Sequence, residues 1–357
     1  MKKYILFLLF LLSSVMIHAQ SITGYVMDEA EKKPLEGAFV YLDGTTISAS
    51  TDAKGFFELK APAPINALLV VNYMGFERYM LENPFDLKSP VTVYLKEKHI
   101  TLNEVVINKK TIFTRKQMLK AFKDNFLGQT LNGSSCEIEN EDDIRLSYDT
   151  HGNVLLAHAE KPLIITNKKL GYRVVFDLVD FKTYYKMRSV KNIDVNSSFF
   201  SGTTAFIDKS GKENVGEKRK KAYLGSPTHF LRTIASDSWE KEGFVLYDDK
   251  IPVNSADYFK VTDTLNLKKV QVSFPKHKQP DIMLVSGKPL PKSKSLRNKK
   301  LTVLYKGKLQ SFITFDRGVF YIDENGLFIP IDEIYFGGYM GVIKAGDMLP
   351  ADYWPAP

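Results

Sequence analysis

Between residues 22 and 95 apolar and polar side chains alternate in short bursts separated by turn residues. Ala38, Val40 and Leu42 fall on one side and Phe39 and Tyr41 on the other; Val91, Val93 and Leu95 alternate with Thr92 and Tyr94. A period of two marks strands with one buried face. The pattern predicts strands near 22–27, 38–42, 47–50, 55–59, 67–73, 77–80 and 91–95. Short strands with turn signals at roughly 8–12-residue spacing indicate an all-β sandwich. In Thr51-Asp52-Ala53-Lys54-Gly55-Phe56-Phe57, Asp52 can close an Asx-type turn on its own backbone. Gly55 then supplies a backbone angle that a β-carbon would oppose.

The pattern changes on both sides of this stretch. Lys2 and Lys3 precede an apolar and aromatic run over 4–12, and Ser13 to Ala19 lead to a small residue. This is the layout of an export signal, residues 1–19, with cleavage expected between Ala19 and Gln20. The run falls short of the roughly 20 residues that a spanning helix needs. No later run is long and apolar enough to cross as a helix, and no cysteine follows to carry a lipid anchor. Downstream, Met118, Leu119, Phe122 and Phe126 recur at helical spacing, so a helix is predicted over 114–127, stopped by Gly128. Strands are predicted at 144–148, 154–157, 171–181, 205–207, 243–247, 301–305, 311–315, 319–322 and 327–329. Ser226 and Pro227 suit the cap and first position of another helix, whose buried stripe is Phe230, Leu231 and Ile234. Gly337 to Gly341 reads as a turn or bulge; no Gly-Lys-Ser/Thr follows to make a phosphate loop. The expected organisation is a signal at 1–19, a sandwich at 20–97, a connector at 98–110 and a β-rich α+β domain at 111–357.

Composition allows a packed core: 44% of the 357 residues are apolar and 25% charged. The net charge of +8 is uneven, because residues 20–97 carry 7 basic and 11 acidic side chains and the excess of cations lies behind them. A basic rear domain can attract anionic lipid or acidic polymer. Export argues against nucleic acid. The one cysteine, Cys136, can form no intramolecular disulfide and reads as a buried small hydrophobe.

The fixed spacings in the first stretch carry a resemblance. Gly24, Val26 and Asp28; Pro34, Leu35, Gly37, Ala38 and Val40; Gly44 and Thr45; Thr51, Asp52, Gly55 and Phe57; and Tyr73, Gly75 and Phe76 resemble the carboxypeptidase-regulatory-like domain common in envelope proteins of Bacteroidetes. The resemblance implies a seven-stranded transthyretin-like or immunoglobulin-like sandwich and no catalysis. Residues 102–107, Leu-Asn-Glu-Val-Val-Ile, are similar to the segment that follows this sandwich in TonB-dependent nutrient receptors. There it leads to a large barrel, for which about 220 strand residues would be needed before loops and plug. The 250-odd residues behind the sandwich are too few. Gly225-Ser226-Pro227-Thr228-His229-Phe230-Leu231-Arg232 resembles a block in companion domains of uncharacterised exported proteins.

Candidate chemistry is sparse. None of His99, His151, His158, His229 and His277 has a glutamate three residues on, so a zinc peptidase pair is absent. Gly-x-Ser-x-Gly is absent too. The acidic run over 137–143 lacks the EF-hand pattern and reads as a solvated loop or strand edge. His229 in the first turn of its helix, beside Ser226 and Arg232, is the candidate for anion or glycan recognition at a helix N-terminus; its structural alternative is a histidine packed at a domain seam. The proline- and lysine-rich stretch over 275–300, with Lys276 and Lys278, is a candidate contact for anionic headgroups or glycan phosphate, against a plain solvated loop. No cofactor or metal is expected.

The expected function is that of a non-catalytic, exported protein of the periplasm or outer membrane. Its sandwich would dock or space, and its rear domain would bind a protein or glycan partner. One alternative is an accessory component of a TonB-dependent uptake complex. Another is a periplasmic glycan or peptide hydrolase, which requires a deep pocket in 111–357 with a histidine or carboxylate pair in hydrogen-bond reach.

Overall fold

A computed structural model describes residues 20–87, 90–98, 112–211, 214–264, 266–275, 296 and 299–356. The export signal, most of the connector, His99, His277, Lys276, Lys278 and most of the 275–300 stretch lie outside the described residues. The chain forms two compact units: Met1–Asp43 with Ile47–Leu102, and Gly44–Thr46 with Asn103–Pro357.

The first unit is a seven-stranded sandwich. Its strands are β1 (Gln20–Asp28), β2 (Phe39–Leu42), β3 (Ser48–Ser50), β4 (Phe56–Ala61), β5 (Leu69–Asn72), β6 (Tyr79–Leu81) and β7 (Val91–Leu95). They make a three-stranded sheet in the order β4-β1-β7 and a four-stranded sheet in the order β3-β2-β5-β6. Each of the seven predicted strands is present. Ile22, Val26, Phe57, Leu59, Val93 and Leu95 from one sheet and Val40, Leu42, Leu69 and Val71 from the other are buried, as the period of two requires. Tyr41 and Val70, paired in register on the opposite face, are buried as well.

Hydrogen bonds account for the motif residues of this unit. Asp52 Oδ1 accepts the amides of Lys54 and Phe56, closing the expected turn. Gly55 follows at φ 73°, and a β-carbon there would lie 2.5 Å from the Val26 carbonyl oxygen. Thr51 is buried; its hydroxyl donates to the Leu35 carbonyl and accepts the Ala38 amide. A β-carbon on Gly24 would strike the Val91 carbonyl of the parallel neighbour β7.

The second unit opens with α1 (Arg115–Phe126), capped by Thr114 in a capping box with Gln117. The strands β8 (Cys136–Ile138), β9 (Ile144–Asp149), β10 (Val154–Ala159), β11 (Leu163–Asn167), β12 (Tyr172–Tyr185) and β13 (Val195–Asp208) follow. The order is β8-β11-β12-β10-β9, with β13 running along β12. Phe122 and Phe126 of α1 meet Phe176, Phe181 and Phe200 of the sheet edge to face. Strands β8 and β11 fall where no strand was predicted. Glu137 and Ile138, from the run over 137–143 read as a solvated loop or strand edge, pair with β11 at the edge of the sheet, and Arg173 donates to Glu139 at 2.8 Å.

Three helices come next: α2 (Gly216–Tyr223), α3 (Pro227–Ser236) and α4 (Trp239–Glu242). Then come β14 (Phe244–Asp248), β15 (Ile251–Val253), α5 (Ser255–Tyr258), β16 (Phe259–Asp263), β17 (Lys268–Val272), β18 (Lys300–Tyr305), β19 (Leu309–Phe315), β20 (Val319–Ile322), β21 (Phe328–Ile329), β22 (Ile334–Gly337) and α6 (Gly338–Val342). They form a five-stranded sheet, β15-β14-β18-β19-β22, and a four-stranded sheet, β16-β17-β20-β21. One core joins them to α3 through Phe230, Ile234, Phe244, Phe259, Val303, Phe315 and Phe320. Gly337 to Gly341, read as a turn or bulge, instead ends β22 and opens the short helix α6: Gly338 turns the chain at φ 64° and the Met340 amide is caught by Ser311 Oγ. Among the described residues no helix is long and apolar enough to cross a membrane.

Candidate functional site

A cleft of about 920 Å³ lies along α3 in the second unit, within the size of small-ligand sites. Its walls are α3, α4, α5, β16, the start of β17, the end of α2, the turn at Glu324 and the strap over 348–356 that carries Trp354. Both tryptophans of the chain line it.

The local sequence sets up these walls. Ser226 caps α3, its hydroxyl accepting the His229 amide, and Pro227 takes the first helical position. Phe230, Leu231 and Ile234 fix the inward face in the core. Asp237 ends the helix in the left-handed region at φ 49°, and its amide bonds the Ile234 and Thr233 carbonyls. The Ser236 and Ser238 hydroxyls meet at 2.7 Å across this reversal. α4 follows at once, ended by Gly243 at φ 80°. Trp239 is therefore wedged against Phe230 and Phe259, while Lys241 and Glu242 reach the cleft.

His229 is 1% exposed. Its Nδ1 accepts the Gly225 amide at 3.0 Å, and its Nε2 is 2.9 Å from Glu242 Oε2. An amide can only donate, so Nδ1 carries the lone pair and the proton sits on Nε2, which donates to Glu242. Burial pushes the imidazole pKa down; Glu242 works in the other direction and does not cancel it. The ring is neutral, locked in one tautomer and packed against Tyr223, Phe244 and Tyr305. A general base needs an available lone pair facing its substrate. Here the lone pair is engaged behind the helix start, and Nε2 has none to offer.

Arg232 is 4% exposed and works as a strut. Nε donates to the Asn325 carbonyl at 3.0 Å, Nη1 to Tyr353 at 2.9 Å and Nη2 to Ala351 at 2.7 Å. Its guanidinium plane lies 3.9 Å from the centre of the Trp354 ring. Trp354 remains 55% exposed and lines the cleft, with the cation against one side of its indole. Besides Arg232, the charged lining comprises Asp237, Glu242, Asp263, Glu324, Lys241 and Lys268, of which Asp263 and Lys268 pair at 2.8 Å.

Of the residues singled out in sequence, the structure brings His229 and Arg232 into one cleft wall and does not reach Lys276 and Lys278. No local pattern in the sequence ties Trp354 to Arg232. The available signal was an arginine inside an otherwise apolar, buried helical stripe, which demands partners. No group of three or more metal-ligating side chains occurs among the described residues. Cys136 is half-buried, and burial, with Asp347 nearby, pushes its thiol up to about 12.

Residues 22–107 match the model of the CarboxypepD_reg-like domain. The match spans the sandwich and stops well short of the cleft. No curated protein matches the chain.

Proposed function

We propose that the protein is an exported, non-catalytic envelope protein. Its CarboxypepD_reg-like sandwich serves as a docking or spacer module, and the second unit binds a glycan in the cleft along α3. The observation that carries this reading is the cleft itself: both tryptophans converge there with an array of carboxylates and lysines, while its histidine is held neutral with both ring nitrogens engaged. An aromatic floor with polar side chains around it suits a sugar, which offers an apolar ring face and a rim of hydroxyls. Matching of the sandwich to a family model supports the modular part of the reading.

The chain has two tryptophans and both line the cleft, Trp239 from the core and Trp354 from an exposed position, so a bound ligand is expected to change intrinsic fluorescence. Titration with a panel of oligosaccharides is expected to give a saturable change in emission, lost on Trp354→Ala by calorimetry. A folded protein that responds to no saccharide overturns the reading. The hydrolase alternative keeps one feature in its favour, the His229–Glu242 pair facing a cleft. Turnover of a glycan or peptide that disappears in Glu242→Gln would establish it. Fractionation of cells tests the envelope location, and a receptor recovered in affinity purification from the membrane fraction would favour the uptake-complex role.

A further inference from the structure

We infer that the cleft selects an uncharged saccharide, stacked on the open side of Trp354 and hydrogen-bonded through Asp237, Glu242, Glu324 and Lys241. The inference rests on the glycan-binding reading above and narrows its ligand class.

The charges that face the cleft run against the charge of the chain. The whole protein carries +8, which favours an acidic polymer. The cleft, in contrast, is lined by four carboxylates and three cations. Asp263 and Lys268 are bound to each other. Arg232 is buried and directs its donors at three backbone carbonyls. Lys241 is then the lining cation whose donors are uncommitted, beside the carboxylates Asp237, Glu242 and Glu324. An anionic sugar would bring its charge next to three carboxylates with one uncommitted cation to meet it, and like charges at close range are unfavourable.

A cationic sugar would be drawn to those carboxylates, but its charge finds no place on the stacking face. An aromatic ring attracts a cation through its quadrupole. The Trp354 ring already has a guanidinium 3.9 Å from its centre, so a second cation on the far side would share that attraction and be repelled by the first. A neutral ring escapes both penalties. It keeps the dispersion and apolar contact with the indole, and its hydroxyls can donate to the carboxylates and accept from Lys241. Glu242 is placed for this: one oxygen holds the His229 proton, the residue is partly exposed, and the other oxygen is left for ligand.

The test uses the mature full-length chain and matched oligomers that differ in charge. These are chitohexaose, which is uncharged, its cationic de-N-acetylated form, cellohexaose, and its anionic C6-oxidised form. Affinities are read by tryptophan emission and by calorimetry, at low and high salt (about 0.01 and 1 M, Debye lengths of about 30 and 3 Å). At least one uncharged oligomer is expected to bind at least tenfold tighter than its charged counterpart at low salt, with little dependence on salt. Trp354→Ala is expected to weaken it at least tenfold and Trp354→Tyr to restore much of the affinity. Tightest binding to an anionic or cationic oligomer, fading with salt, overturns the inference and leaves glycan binding standing. Absence of binding to every oligomer, with far-ultraviolet circular dichroism showing a folded chain, removes the glycan reading and the inference with it. Binding of the uncharged oligomer undiminished in Trp354→Ala overturns the stacking geometry.

Discussion

Replacing Arg232 with methionine tests whether the cleft wall is held as the structure indicates. Methionine keeps the volume of the side-chain stem but removes the three donors aimed at Asn325, Ala351 and Tyr353. Ala351 is buried, so its carbonyl is left without a donor, at about 1–3 kcal/mol. The other two carbonyls belong to half-buried residues and can be rehydrated in part, adding about 0.5–1 kcal/mol between them. Release of a desolvated guanidinium returns some of this. The net expectation is a loss of about 2–3 kcal/mol. Arg232→Lys should recover less than half, since an ammonium cannot fork to three carbonyls and stack on an indole at once. The assay is equilibrium urea unfolding followed by tryptophan emission, which belongs to the second unit because Trp239 and Trp354 both lie there. Acrylamide quenching of the folded variant should rise as Trp354 loses its backing. A loss below about 0.5 kcal/mol in Arg232→Met, within the range of ordinary surface changes, would refute the strut.

Other expectations concern separate parts of the chain. His229 has a folded pKa below its usual 6.5, so on acidification the unfolded chain takes up the proton first. Stability should therefore fall as pH drops through 6.5 towards the folded value, and His229→Gln should flatten that slope in urea midpoints measured across this range; equal slopes would contradict the locked neutral ring. Thr51→Val leaves the Ala38 amide and Leu35 carbonyl unpaired in the sandwich and should cost about 2–3 kcal/mol, lowering a calorimetric transition while tryptophan emission of the folded state stays unchanged. Cys136, its thiol pushed up to about 12, should resist a thiol-directed disulfide reagent at neutral pH until denaturant is added; rapid labelling of the native chain would contradict its burial.

The sandwich was legible because its determinants are local. Alternation sets each strand, and Asp52 with Gly55 sets a turn within a few residues of itself. The second unit was legible where apolar residues are dense, as in β12, β18 and β19. It was opaque in β16 and β17, where Lys260, Thr262, Asp263, Lys268 and Lys269 break the run and only Phe259, Val270 and Val272 mark the buried side. The helix carrying His229 and Arg232 was read from its cap and stripe. What those side chains do was not readable, because their partners are mostly backbone groups. Gly225 offers an amide, and Asn325, Ala351 and Tyr353 offer carbonyls, which every residue type carries.

The strut also bears on the order of folding. Arg232 reaches carbonyls 93, 119 and 121 residues further along the chain, whereas β12 and β13 are joined by a short connection. Contacts that close long loops form after local ones, since chain entropy must be lost before they repay it. The cleft wall should thus be among the last parts of the second unit to assemble. In refolding, the β-sheet signal in circular dichroism is predicted to recover ahead of the native tryptophan emission; simultaneous recovery would show that the strap docks together with the sheets. A partly folded chain would then carry its sheets without the cleft, whose wall is complete only once Ala351 and Tyr353 have reached Arg232.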